Sequence, residues 1–154
     1  MTTFLDLLKN APVVELKSKT KEDALRELAE AFRNEPKVAD VDKFLKAIFD
    51  REKVISTGIG IGVAVPHVKI AEVRDFVLAF GRHPGGLDFD SLDEQPVHLV
   101  AMIGASDSQA GEFLKMLAQL VQTLRAKDVR RRLLFARDPE AFRAILVEHA
   151  APAA

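Results

Sequence analysis

Three short runs, VAV (Val63 to Val65), FVLAFG (Phe76 to Gly81) and VHLVAMIG (Val97 to Gly104), gather in the middle of the chain and are apolar at nearly every position. Their β-branched and aromatic content predicts strands. A fourth run, VVEL from Val13 to Leu16, has the same look. Amphipathic stretches bracket them on both sides. After Thr20, Leu25, Leu28, Ala29 and Phe32 recur at helical spacing, and from Asp40 so do Phe44, Leu45, Ile48 and Phe49. The C-terminal third reads as three helices: GEFLKMLAQLVQTLRAK, VRRRLLFA after Asp128, and PEAFRAILVEHA. The last has Asp138 as its cap and Pro139 at its first position. Strands in the centre with helices at both ends predict an α/β or α+β sandwich.

The ends of the chain add little to this plan. TTFLDLLKN reads as a short helix capped by Thr2 or Thr3 and stopped by Pro12. The segment RHPGGLDFDSLDEQP reads as turns. No repeat or linker divides the 154 residues, so one domain over 1–150 is expected, with 151–154 as a frayed tail. A chain of this length buries roughly 68–70% of its unfolded surface, enough to dispense with disulfides and structural metals. It has no cysteine, which removes thiol nucleophiles and Cys-zinc sites and fits a reducing compartment.

A net charge of −1 provides no global field for nucleic acid or membrane. The basic run Arg130-Arg131-Arg132 reads first as a solvated helix face. MTTFLDLLKNAP carries Asp6 and no basic leader, so it is not a signal peptide, and no apolar run reaches a membrane span. A soluble cytoplasmic protein is expected.

The chemistry concentrates in STGIGIGVAVPH, Ser56 to His67. Gly58, Gly60 and Gly62 fail the dinucleotide fingerprint at its third glycine, and they precede a strand where that motif follows one. Glycines do let backbone N–H groups approach an anion closely. Ser56 and Thr57 add hydroxyls, and alternate burial of Ile59 and Ile61 would anchor such a loop. Pro66 is expected to end the strand, leaving His67 at its terminus. A neutral imidazole there offers a lone pair as nucleophile, base or ligand. Taken alone, a histidine at a strand end is more often a surface or hydrogen-bonding group. Arg51, where the second helix should end, could fork onto a phosphoryl group or simply stabilise the helix terminus.

Together, Arg51-Glu52-Lys53, Ser56 to Gly60, Ala64 to His67 and Lys69 resemble the active-site segment of phosphotransferase-system enzyme IIA domains. The resemblance is to the mannitol/fructose class, and most closely to its stand-alone nitrogen-regulatory branch. It continues through FDSLDEQPVHLVAMIGA, LKMLAQLVQTL and DPEAFRAIL, covering essentially the whole chain. It implies an α/β fold with a mixed β-sheet sandwiched by helices on both faces. It also implies a phosphocarrier whose His67 takes a phosphoryl group from an HPr-like protein. The group would pass to an enzyme IIB cysteine or serve regulation of another protein, with Arg51 neutralising it and no metal or cofactor required. Ser56, Thr57, Gly58, Gly60 and Gly62 would then contribute donors to the phosphoryl group. Ile59, Ile61, Val68 and Phe113 would form an apolar partner surface.

Three positions depart from the family pattern. Phe113 stands where a second histidine is usual, Ile61 where Asn is common, and Val68 where a glycine follows the active histidine. His98, at the start of a strand, is the candidate to replace the missing imidazole; otherwise it reads as a sheet-end hydrogen bonder. His83 and His149 read as loop and helix-end residues, and Asp88 and Asp90 as turn carboxylates. The alternative reading is a phosphorylation-deficient regulatory module that binds partners through the retained fold. A homo-oligomerising structural domain is neither favoured nor excluded.

Overall fold

The computed structural model describes residues 2–153. Side-chain caps set where its helices begin. Thr3 and Asp6 form a reciprocal capping box at the start of α1 (Phe4–Asn10). Thr20 caps α2 (Lys21–Ala29), which tightens into a 3₁₀ turn over Glu30–Phe32. Asp40 caps α3 (Val41–Val54), and Asp138 caps α6 (Pro139–Glu148) with Pro139 in the first turn. Between them, α4 spans Ala110–Leu124 and α5 spans Lys127–Phe135. The fifth helix therefore starts one residue ahead of Asp128, at Lys127.

The strands are β1 (Val13–Glu15), β2 (Gly58–Gly60), β3 (Val63–Ala64), β4 (His67–Lys69), β5 (Val77–Leu87) and β6 (Val97–Ala105). They form one mixed sheet in the order β1-β5-β6-β3-β2, with β4 also on β6. β1 runs parallel to β5, β5 antiparallel to β6, β6 parallel to β3 and β4, and β2 antiparallel to β3. Successive side chains of a strand point to opposite faces. Val63, Leu78, Phe80, Leu99, Ala101 and Ile103 enter the core beneath α1, α4, α5 and α6. Ala64, Val68, Val77, Ala79, Val100 and Met102 enter the one beneath α2 and α3. Helices cover both faces, which is why these strands read as continuous apolar runs.

One expectation needs correction here, and one contact is added at the C-terminal tail. β5 continues to Leu87, through residues read from the sequence as turn. Pairing with β6 lapses between Arg82 and Leu87, so the missing N–H of Pro84 removes no ladder bond. The tail is also held at its first residue. The Ala151 N–H donates to Thr123 Oγ1 at 3.0 Å, and the Ala151 carbonyl accepts from Gln119 Nε2 at 3.1 Å. Ala154 lies outside the described residues.

The depth of α3 on the sheet is set by Gly104. A Cβ there would stand 2.6 Å from the Phe44 ring, which is fully buried. Gly104→Ala should therefore lower stability by about 1–3 kcal/mol in chemical denaturation. A second device ties α4 to the sheet: Asp75 accepts from Gln109 Nε2 at 2.9 Å, from the Phe76 N–H, and from the Thr2 N–H and hydroxyl. Burial alone would push this carboxyl up, but the hydrogen bonds outweigh it and bring it from 3.8 down to about 2. A depressed value means the stabilisation is present above 3.8 and is lost as pH falls toward about 2. The stability gap between wild type and Asp75→Asn should close over that window in acid titrations followed by circular dichroism.

Candidate functional site

β3 and β4 lie on β6 in one register. Val63 and Ala64 pair with Leu99 and Val100, and beyond Pro66, His67, Val68 and Lys69 pair with Ile103, Gly104 and Ala105. The offset between partners is the same on both sides of the proline. Pro66 lacks an N–H, so the ladder thins there, but its carbonyl still accepts from the Ile103 N–H at 3.0 Å. His67 was expected at the end of a strand. It opens a new one instead, because the proline interrupts the run along β6 without ending it.

The His67 ring is half-buried and bonded at both nitrogens. Nδ1 lies 2.7 Å from the Val65 carbonyl oxygen, and Nε2 lies 3.4 Å from Arg51 Nη2. A carbonyl can only accept and a guanidinium can only donate. Both contacts therefore select the tautomer with the proton on Nδ1 and a lone pair on Nε2. Arg51 arrives from the helix layer on one side of the sheet. Phe44, Ile48 and Arg51 follow at i, i+4 and i+7 along α3, so the stripe that buries Phe44 and Ile48 ends in a cation over the imidazole. Phe113 arrives from α4 on the other side, its ring centroid 5.9 Å from that of His67 with the planes tilted by 52°.

His67, Arg51, Lys69, Ala110, Phe113 and Leu114 share a cleft of about 580 Å³. Asp50 also lines it, and the hydrogen bond from Lys46, with Lys53 nearby, holds its carboxyl below the usual range. Leu114, 70% exposed, is the apolar side chain most open at this rim. Val68 is buried in the α2/α3-side core and Phe113 is 7% exposed, so neither is a free surface group.

The glycine segment folds differently from the expectation. It forms a β2–β3 hairpin in which Gly58 and Gly60 are buried while Ile59 and Ile61 are exposed, the reverse of isoleucine anchoring. Glycine is needed at position 58 because a Cβ would collide with Ser91 Oγ, and Gly60 and Gly62 adopt φ of 84° and 77°. Most of the donors assigned to a phosphoryl group already have partners. Ser56 Oγ donates to the Phe89 carbonyl and accepts from the Gly58 N–H, and the Thr57 hydroxyl and N–H donate to Glu52. Gly60 and Gly62 sit by Asp93 and by Pro96 and His98, and the Ile61 N–H donates to Asp93. None of Ser56 to Gly62 lines the His67 cleft. His98 does not reach it either: its Nδ1 is 3.0 Å from the His83 carbonyl, five residues back along β6 from the partner of His67. Asp88 accepts from the Asp90 N–H in a turn, as expected.

Two contributors, Lys69 and Glu52, were named from the sequence only as members of the motif, with no role assigned. Lys69 stands two residues from His67 on β4, and strand periodicity alone places both on one side. Glu52, whose side chain is 5% exposed, pairs with Lys21 at 2.7 Å and clamps Thr57, whose carbonyl accepts from the Val65 N–H. Its position beside Arg51 on a helix was the available signal, since neighbours on a helix face different sides.

Comparison with known proteins identifies the family to which the chain belongs. The family model described as "Phosphoenolpyruvate-dependent sugar phosphotransferase system, EIIA 2" matches residues 7–149. The fructose-specific EIIABC component of Bacillus subtilis is 37% identical over 143 residues, covering 93% of this chain but only 22% of that protein. A nitrogen regulatory protein of Bradyrhizobium diazoefficiens is 35% identical over 144 residues, 90% of each chain. Among solved structures, the nitrogen regulatory protein IIA-Ntr of Neisseria meningitidis superposes with a TM-score of 0.82 at 29% identity, covering 91% of this chain and 94% of that one.

The tautomer is open to direct measurement. Long-range ¹H–¹⁵N correlation spectra of the neutral imidazole should show His67 protonated at Nδ1, and a proton on Nε2 would contradict the geometry.

Proposed function

Because this chain belongs to the EIIA 2 family of the phosphoenolpyruvate-dependent sugar phosphotransferase system, we propose that His67 is the residue that carries its phosphoryl group. The donor is an HPr-like phosphocarrier protein, and the acceptor is an enzyme IIB or a regulated protein. Both the fructose-specific and the nitrogen-regulatory relatives are consistent with that pair of fates. A cytoplasmic setting follows from the same reading; no helix among the described residues is long and apolar enough to cross a membrane.

The observation that carries the proposal is the pair of contacts on the imidazole. The Nε2 lone pair attacks phosphorus as the donor's bond to phosphorus breaks and its electron pair returns to the donor. Nδ1 keeps its proton on the Val65 carbonyl, which stabilises the positive charge developing on the ring. Arg51 moves from the lone pair to the phosphoryl oxygens, where a guanidinium binds well. Phosphoryl transfer asks the protein mainly for positioning and charge stabilisation, and these residues provide both.

Incubation with a phosphorylated HPr-type donor should add one phosphoryl group by intact mass, acid-labile and absent from His67→Ala. No adduct with several cognate donors would overturn the proposal. A second reading, a binding module without transfer, draws on the Phe113 ring that packs on His67 without offering a hydrogen bond. It requires partner binding to survive His67→Ala unchanged.

A further inference from the structure

With His67 as the carrier, the phosphoryl group must sit in the cleft off Nε2, and a phosphoryl group there brings close to two negative charges. Arg51 supplies one positive charge. Phe113, across the ring, supplies no donor. Apart from Arg51, His67 and Lys69, the side chains lining the cleft are aliphatic or aromatic, with the single exception of Asp50, which is already an anion paired to Lys46. Tied up in the hairpin or absent from the cleft, Ser56, Thr57 and the glycines do not make up the difference.

The geometry points to Lys69 as the second phosphate-binding cation, an assignment that rests on His67 being the phosphoryl carrier. Both residues belong to β4, two positions apart, and both line the cleft. Strand periodicity puts their side chains on one side with Cα atoms about 6.6 Å apart, within the reach of a lysine stem. Val68 between them is turned into the core, which fixes the pleat that aims the other two outward. Among the described residues, Lys69 makes no salt bridge or side-chain hydrogen bond, unlike Lys21, Lys37 and Lys46. Its ammonium is exposed and free to swing onto the oxygens when they arrive. The N-terminal end of α4 opens on the same cleft at Ala110, adding the positive end of a 15-residue helix. The phosphoryl group is thus held between Arg51 from α3 and Lys69 from β4, against the apolar wall of Phe113.

Lys69→Met and Lys69→Arg, compared with wild type, test this. Two readouts separate phosphate binding from partner docking: saturated phosphorylation rates with a phosphorylated HPr-type donor, and rates with phosphoramidate, a small donor that needs no protein surface. Lys69→Met should slow both by about ten-fold, the worth of one charge-assisted contact, while Lys69→Arg restores most of the loss. The ³¹P signal of the phosphorylated variant should also titrate at higher pH, because one cation stabilising the dianion is gone. Unchanged rates and titration in Lys69→Met would overturn the role of Lys69 and leave His67 standing. So would a defect confined to KM for the protein donor. A wild-type protein that takes no phosphoryl group from either donor would overturn both.

Discussion

The hydrogen bond from His67 Nδ1 to the Val65 carbonyl spans a single proline, and the arrangement of the site depends on it. It exists because β3 and β4 keep one register on β6 across Pro66, so that the ring of His67 can fold back onto the carbonyl two residues earlier. An imidazole bonded in this way has one nitrogen committed as donor. The other is left with a lone pair in the cleft. A slip of one residue in this run along β6 would turn His67 toward the α2/α3-side core and leave neither contact.

Arg51 and Phe113 reach that ring from opposite helix layers, and each is the end of a packed stripe. The stripe of α3 is pressed onto the sheet at Gly104, where only a glycine lets the Phe44 ring come so close. Across the sheet, α4 is tied at its start by Gln109 to Asp75. The buried Lys21–Glu52 pair works behind the site. It clamps Thr57, and through the Thr57 carbonyl it holds the N–H of Val65, whose own carbonyl holds His67. Breaking such a pair would leave a buried charge unmatched, typically a loss of several kcal/mol. Nε2 of His67 is therefore positioned by backbone register and helix packing, with flexible loops playing little part.

The sequence showed much of this. Helix starts at Thr20, Asp40 and Asp138 follow from short polar side chains that accept the first free N–H groups. The apolar runs from Val77 and Val97 became the two long central strands. His67 and Arg51 were readable as a pair from their motif, and they meet. The glycine segment was misread, because Gly-Ile alternation tells only that two kinds of side chain face opposite ways. Which kind faces inward was decided by Ser91 and Asp93 packing over Gly58 and Gly60, a contact made across more than thirty intervening residues. His98 takes the simpler of its two readings, a hydrogen bonder at the start of β6, and its distance from His67 follows from the five residues that separate it from Ile103, the partner of His67. The Val65 carbonyl is backbone, and no residue type announces it.

The central claim is that Nε2 of His67 is the reacting atom, chosen by the proton that the Val65 carbonyl holds on Nδ1. ³¹P–¹⁵N coupling in the phosphorylated, ¹⁵N-histidine-labelled protein tests it most directly. Phosphorus should couple to Nε2 of His67 while Nδ1 retains its proton. Phosphorus on Nδ1, or on any histidine other than His67, would contradict the account.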